Sequence, residues 1–85
     1  MLLKDQVALI TGSGRGIGRA IAQLFASEGA CVFLTARTET ELAVTTEEIS
    51  NSGGRAHYAL ADLAREADSM RIVAEARAKF GKIDI

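Results

Sequence analysis

The chain has no tryptophan and no proline, and only one cysteine and one tyrosine among its 85 residues. Each scarcity removes a class of function. A single thiol, Cys31, can form neither an internal disulfide nor a multi-thiolate metal site, which fits a reducing compartment. Cys31 opens an apolar run and reads as a small buried residue. His57, the one histidine, has no second ligand or triad partner at a meaningful spacing, so no metal site and no catalytic role is expected there. The formal net charge is −1, and Lys and Arg are spread without a basic stripe, which argues against a nucleic-acid partner. No apolar run approaches the roughly 18 residues of a membrane span, and Met1 to Gln6 lacks the basic region and long apolar stretch of a leader. A cytoplasmic chain without a membrane partner is expected.

What is present describes one globular unit: 48% hydrophobic and 25% charged residues, with no repeat and no low-complexity tract. A chain this short buries only roughly 60% of its unfolded surface, so a layered α/β fold built from it is marginal alone. Partners or further sequence are expected.

Strand and helix patterns alternate along the chain. Val7 to Thr11 is a continuous apolar run, as in a parallel strand covered on both faces. Ile17, Ile21, Leu24 and Phe25 then recur at i, i+4, i+7 and i+8, one apolar helical face, and Gly29 supplies the stop. Cys31 to Thr35 reads as a second buried strand. Thr38 with Glu41 three residues on forms a capping-box signature, and Leu42, Thr45 or Thr46, and Ile49 continue a helical face until Ser52-Gly53-Gly54. His57 to Leu60 is a short, weaker strand. A long helical stretch follows, its apolar side including Met70, Val73, Ala74 and Phe80, with Gly81 at its end. Lys82 to Ile85 reads as the approach to a fourth strand. The order β-α-β-α-β-α implies an α/β fold, a Rossmann-like parallel sheet with flanking helices, right-handed crossovers and strand order 3-2-1. Residues 1–85 read as part of a dinucleotide-binding domain. Its first strand has an open edge, a template for self-association.

The glycines type the turn after the first strand. In Thr11-Gly12-Ser13-Gly14-Arg15-Gly16-Ile17-Gly18 the Walker spacing fails, because Ile17 stands five positions after Gly12 and no Lys follows a glycine. Gly-x-Gly-x-x-Gly fails too, its third glycine falling on Ile17 or Arg19. Thr-Gly-x-x-x-Gly-x-Gly fits. In that register Gly12 makes the turn, Gly16 lets backbone approach a pyrophosphate at a helix N-terminus, and Gly18 lets helix and sheet pack closely.

At these residues the sequence resembles the short-chain dehydrogenase/reductase family, and the resemblance runs the length of the chain. It continues through Ala36-Arg37 after the second strand, Asp62-Leu63 after the third, and Phe80-Gly81-Lys82-Ile83-Asp84 before the fourth. The resemblance implies that residues 12–18 and Arg37 hold the cofactor, that Asp62 hydrogen-bonds the adenine amino group, and that Leu63 lines the adenine pocket. A local reading makes Asp62 a helix N-cap.

Charge favours NADP over NAD. NAD-binding folds usually place Asp or Glu about 20 residues past the glycines, to accept from the ribose 2′-hydroxyl. Ala36 stands there instead. Arg37 follows it and Arg15 lies within the turn, two guanidinium groups suited to a 2′-phosphate. Glu39 and Glu41 are close by and could serve the ribose.

The family's catalytic residues are a Tyr, a Lys four residues later, a Ser and an Asn. None can be placed here: Tyr58 is followed four residues on by Asp62. The expected function is the N-terminal NADP(H)-binding portion of an oxidoreductase interconverting a carbonyl and an alcohol, with catalysis and the small-molecule substrate in a fuller parent. The alternative is a complete, non-catalytic dinucleotide-binding or interaction module.

Overall fold

In the computed structural model, residues 2–12 and 16–85 are described. Three strands, β1 (Val7–Thr11), β2 (Cys31–Ala36) and β3 (Arg55–Leu60), alternate with three helices, α1 (Gly16–Ser27), α2 (Glu39–Asn51) and α3 (Glu66–Phe80). The strands pair in parallel in the order β1-β2-β3, which is 3-2-1 read from the other edge. The third strand is longer than its side chains suggest. Arg55 and Ala56 lie outside the expected strand, yet their backbones continue the ladder opposite Cys31 and Val32.

Alternation along β2 sorts the core into two layers. Val32 and Leu34 face one way with Ala8 and Ile10 of β1, against Ala22 of α1 and Leu42 and Ile49 of α2. Phe33 faces the other way, against Ile72 and Ala76 of α3, with Leu9, Ala59 and Phe80 at the margin. The Phe33 and Phe80 rings meet edge to face at 6.5 Å, a favoured aromatic geometry. Cys31 is buried at the head of β2.

The helix faces differ from the sequence pattern in an instructive way. On α1 only Phe25 of the expected apolar face packs on the core, beside Ala22 and Ala26. Ile17 and Leu24 are 80% and 58% exposed, and Ile21 is exposed as well. Small residues let α1 lie close to the sheet, so the side that touches it is the alanine side, and the large aliphatic residues flank it. On α3 the buried stripe is Ile72 and Ala76, one turn apart, with Phe80 half-buried. Met70, Val73 and Ala74 are exposed. The face is set by which residues meet Phe33, and that is not written in the helix itself. The capping box of α2 also changes: Thr38 is the N-cap, but its side chain makes no capping bond.

The outer edge of β1 is partly occupied. The Val7 carbonyl accepts from the Asp84 and Ile85 amides, and the Leu9 amide donates to the Ile85 carbonyl at 2.9 Å. Asp84 and Ile85, within the stretch read as the approach to a fourth strand, thus pair with the outer edge of β1 without forming a strand of the sheet. The edge is less open than the three-strand reading implied. The Asp84 carboxylate fastens this pairing, accepting the Val7 amide at 2.8 Å and bridging to Lys82 at 3.0 Å. The Val7 bond, then Lys82, holds its carboxyl below the usual carboxylate range.

A carboxyl pKa depressed by folding stabilises the protein above the unfolded value, about 3.9, and that contribution is lost as pH falls through the folded value. Asp84→Asn, a mimic of the protonated acid, should melt below the parent at pH 6, and the gap should narrow as pH falls below the unfolded value of about 3.9 and through the lower folded value. Thermal melts followed by circular dichroism across that range check this.

Candidate functional site

Parallel pairing puts the C-terminal ends of all three strands on one side, and the loops that leave them enclose a cleft of about 540 Å³. Thr11 and Gly12 after β1, Ala36, Arg37 and Thr38 after β2, and Asp62 and Leu63 after β3 line it, the β2 loop lying between the other two. A cleft at the carboxyl ends of parallel strands is where open α/β sheets bind their ligands.

The turn after β1 is shaped by its glycines. Gly12 and Gly16 have φ of +60° and +63°, and a Cβ at either would meet nothing within 4 Å. The constraint is therefore backbone conformation, since left-handed backbone disfavours a Cβ, and both positions are exposed. Gly18 lies in the first turn of α1, half-buried, beside exposed Ile17. Ser13, Gly14 and Arg15 lie outside the described residues.

Arg37 immediately follows β2 and is exposed, and its guanidinium has no ion pair among the described residues. It lines the same cleft as the Asp62 carboxylate, on the loop of the adjacent strand. Glu41 lines the same cleft and Glu39 stands in the first turn of α2. Thr38, read from sequence only as a helix cap, also lines the cleft with no cap bond to hold its hydroxyl.

Asp62 is not the N-cap of α3; Arg65 is. Its Oδ1 instead accepts the Ala64 amide at 3.1 Å, a turn within the loop, of the kind Asp side chains form two residues on. That arrangement leaves Oδ2 without a partner among the described residues. Leu63, 40% exposed, presents apolar surface beside it.

These features suit a dinucleotide: left-handed glycines where phosphate must approach backbone, an unpaired guanidinium, and a half-satisfied carboxylate next to an apolar side chain. Tyr58 lies elsewhere, half-buried against the α1 and α2 side of the core. His57 stacks at 5.6 Å from Phe33 on the opposite face. Among the described residues no three His, Cys, Asp or Glu side chains gather as a metal would require, and no helix is long and apolar enough to cross a membrane.

The fold is a Rossmann-like α/β arrangement of three parallel strands and three helices, with a cleft at the strand ends. Residues 6–85 match the family model described as short chain dehydrogenase. The chain belongs to the short-chain dehydrogenase family. It is 47% identical over 83 residues to an uncharacterised oxidoreductase of Mycobacterium tuberculosis, covering 98% of this chain and 32% of that protein. It is equally similar, with the same coverage, to an A-factor type gamma-butyrolactone 1'-reductase of Streptomyces virginiae. Among solved structures, a metagenomic short-chain oxidoreductase in complex with NADP superposes with a TM-score of 0.94 at 38% identity, covering 100% of this chain and 38% of that one. A hydroxysteroid dehydrogenase of Escherichia coli superposes with a TM-score of 0.94 at 34% identity, covering 96% and 34%. The chain thus spans about a third of the length of the curated relatives it matches.

Gly12→Ala forces a Cβ into left-handed backbone and should cost about 1–2 kcal/mol of stability. Urea unfolding measures that cost, and an unchanged midpoint would show that the turn relaxes.

Proposed function

We propose that residues 1–85 form the NADP(H)-binding portion of an oxidoreductase that interconverts a carbonyl and an alcohol, with catalysis carried by a further part of the protein. The observation that carries this reading is the cleft at the strand ends, lined by Gly12, Arg37, Asp62 and Leu63, with Arg37 in no ion pair among the described residues. In this reading the glycine motif, Gly12, Ser13, Gly14, Arg15, Gly16, Ile17 and Gly18, takes the pyrophosphate, with Gly12 and Gly16 letting backbone approach it and Gly18 letting helix and sheet pack closely. Asp62 accepts from the adenine amino group, and Leu63 covers the ring. When bound, the nicotinamide cofactor supplies hydride donation or acceptance.

NADP is preferred to NAD for a reason of charge. A carboxylate at the end of the second strand would repel a 2′-phosphate and accept from a 2′-hydroxyl, and that position is Ala36. Arg37 can donate two N–H groups to phosphate in a fixed fork. The metagenomic relative in complex with NADP is consistent with this preference.

Isothermal titration with NADPH and NADH tests the reading. Tighter binding of NADPH is expected, and Arg37→Asp should reverse the order, weakening NADPH by about a hundredfold, the size expected for losing charge-assisted bonds and adding a repulsive charge. Equal affinity for both cofactors in the parent, or an unchanged order in the variant, would remove Arg37 from its role.

A further inference from the structure

The loop that carries Asp62 and Leu63 is gripped at three backbone positions, Leu60, Asp62 and Leu63, by side chains from the first two turns of α3. The Arg71 guanidinium donates through Nη2 to the Leu60 carbonyl at 2.7 Å, at the very end of β3. The Asp68 carboxylate accepts the Asp62 amide through Oδ2 at 2.9 Å. The Ser69 hydroxyl lies 3.5 Å from both the Leu63 and the Arg65 carbonyls and shares its one proton between them. Asp68 Oδ1 lies 3.8 Å from Arg71 Nη2, which joins two of the three grips, and Glu75 steadies Arg71 from the next turn at 3.3 Å.

Asp68 in the first turn of α3 suits the helix N-terminus, but helix stability does not require its bond to the Asp62 amide or that of Arg71 to the Leu60 carbonyl. An i,i+3 ion pair on a helix surface stabilises by a few tenths of a kcal/mol and leaves neighbouring loops alone. Here the shorter contacts of both Asp68 and Arg71 reach off the helix to loop backbone, and the longer contact is the one between them. The Asp62 amide is fixed by Asp68 while the Asp62 Oδ1 is fixed by Ala64, so the remaining Oδ2 has a set position at the cleft.

We infer that Asp68 and Arg71, assisted by Ser69, are positioning residues for base recognition: they hold the Asp62 carboxylate and the Leu63 side chain where a purine carrying an exocyclic amino group is selected. The inference rests on the adenine role given to Asp62 above. A carboxylate oxygen accepts from an amino group and is repelled by a carbonyl oxygen, so an ordered Asp62 discriminates adenine from hypoxanthine. A loosened loop lets the carboxylate turn away and loses the discrimination before it loses the ligand.

The test is titration of the protein with adenosine 2′,5′-bisphosphate and with its hypoxanthine counterpart. The parent is expected to prefer the adenine ligand by about tenfold, the range of one well-placed hydrogen bond. Asp68→Ala and Arg71→Met should bring that ratio to about twofold or less, while Lys79→Ala, on the same helix and away from the loop, should leave it unchanged. In the ligand-free variants the Asp62 amide should exchange with solvent faster than in the parent, which a change in base contacts alone would not cause. Should Asp68→Ala fail to fold, Arg71→Met carries the comparison, and Asp68→Asn, whose amide oxygen still accepts the Asp62 N–H, should retain most of the parent's ratio.

A ratio that survives in Asp68→Ala and Arg71→Met overturns the positioning role while leaving Asp62 as the base-reading group. Equal weakening of both ligands also overturns it, because the clamp would then serve only the fold. A parent that binds both ligands without discrimination overturns the adenine role of Asp62 and this inference with it. A parent that binds neither overturns the cofactor reading itself.

Discussion

The burial of β2 on both faces is the constraint on which the rest of the structure depends. Every residue from Cys31 to Thr35 is buried, and the strand pairs in parallel with a neighbour on each side. Parallel sheets need helices on both faces. That requirement sends α1 and α2 to one side, onto Val32 and Leu34, and α3 to the other, onto Phe33. The crossovers then have no choice but to deliver all three strand ends to the same level, and the cleft is the space between the loops that leave them.

The cleft is consequently a product of topology first and of side chains second. Gly12, Arg37 and Asp62 are separated by about 25 residues at each step in the chain, one strand-helix unit; the first two immediately follow their strands and Asp62 stands one residue further on. What distinguishes them is chemistry: left-handed backbone at the first, an unpaired cation at the second, an anion at the third. The third loop differs from the others in being tied to the helix that follows it, through Asp68, Ser69 and Arg71. A recognition group on an otherwise exposed loop needs such support, since rotamer and backbone freedom would otherwise be lost on binding.

The apolar surface left outside the core has its own organisation. A trough lined by Leu9, Val73, Ile83 and Ile85 runs between α3 and the outer edge of β1, where Asp84 and Ile85 have begun to pair with Val7 and Leu9. Ile17 and Leu24 on α1 and Met70 on α3 add exposed aliphatic surface. Three strands and three helices cannot close both layers around β1 as they do around β2, because β1 has a full strand on one side only. The relatives, about three times as long, have more chain with which to do so.

The sequence by itself determined the element order, the parallel sheet, the glycine turn and the positions of Arg37 and Asp62, because strand burial, glycine spacing and charge are local or periodic properties. Only the tertiary structure decided which side of each helix packs. Ile17, Ile21 and Leu24 form a better apolar stripe than Ala22 and Ala26, yet the alanines face the sheet, since close approach of α1 to β1 and β2 outweighs side-chain size. Likewise Ile72 and Ala76, and not Met70 and Val73, meet Phe33, a contact set by a residue some forty positions away. The same holds for the site. Asp68 and Arg71 look in sequence like any solvated pair three residues apart on a helix, and their hold on Leu60 and Asp62 exists only because α3 folds back over the end of β3.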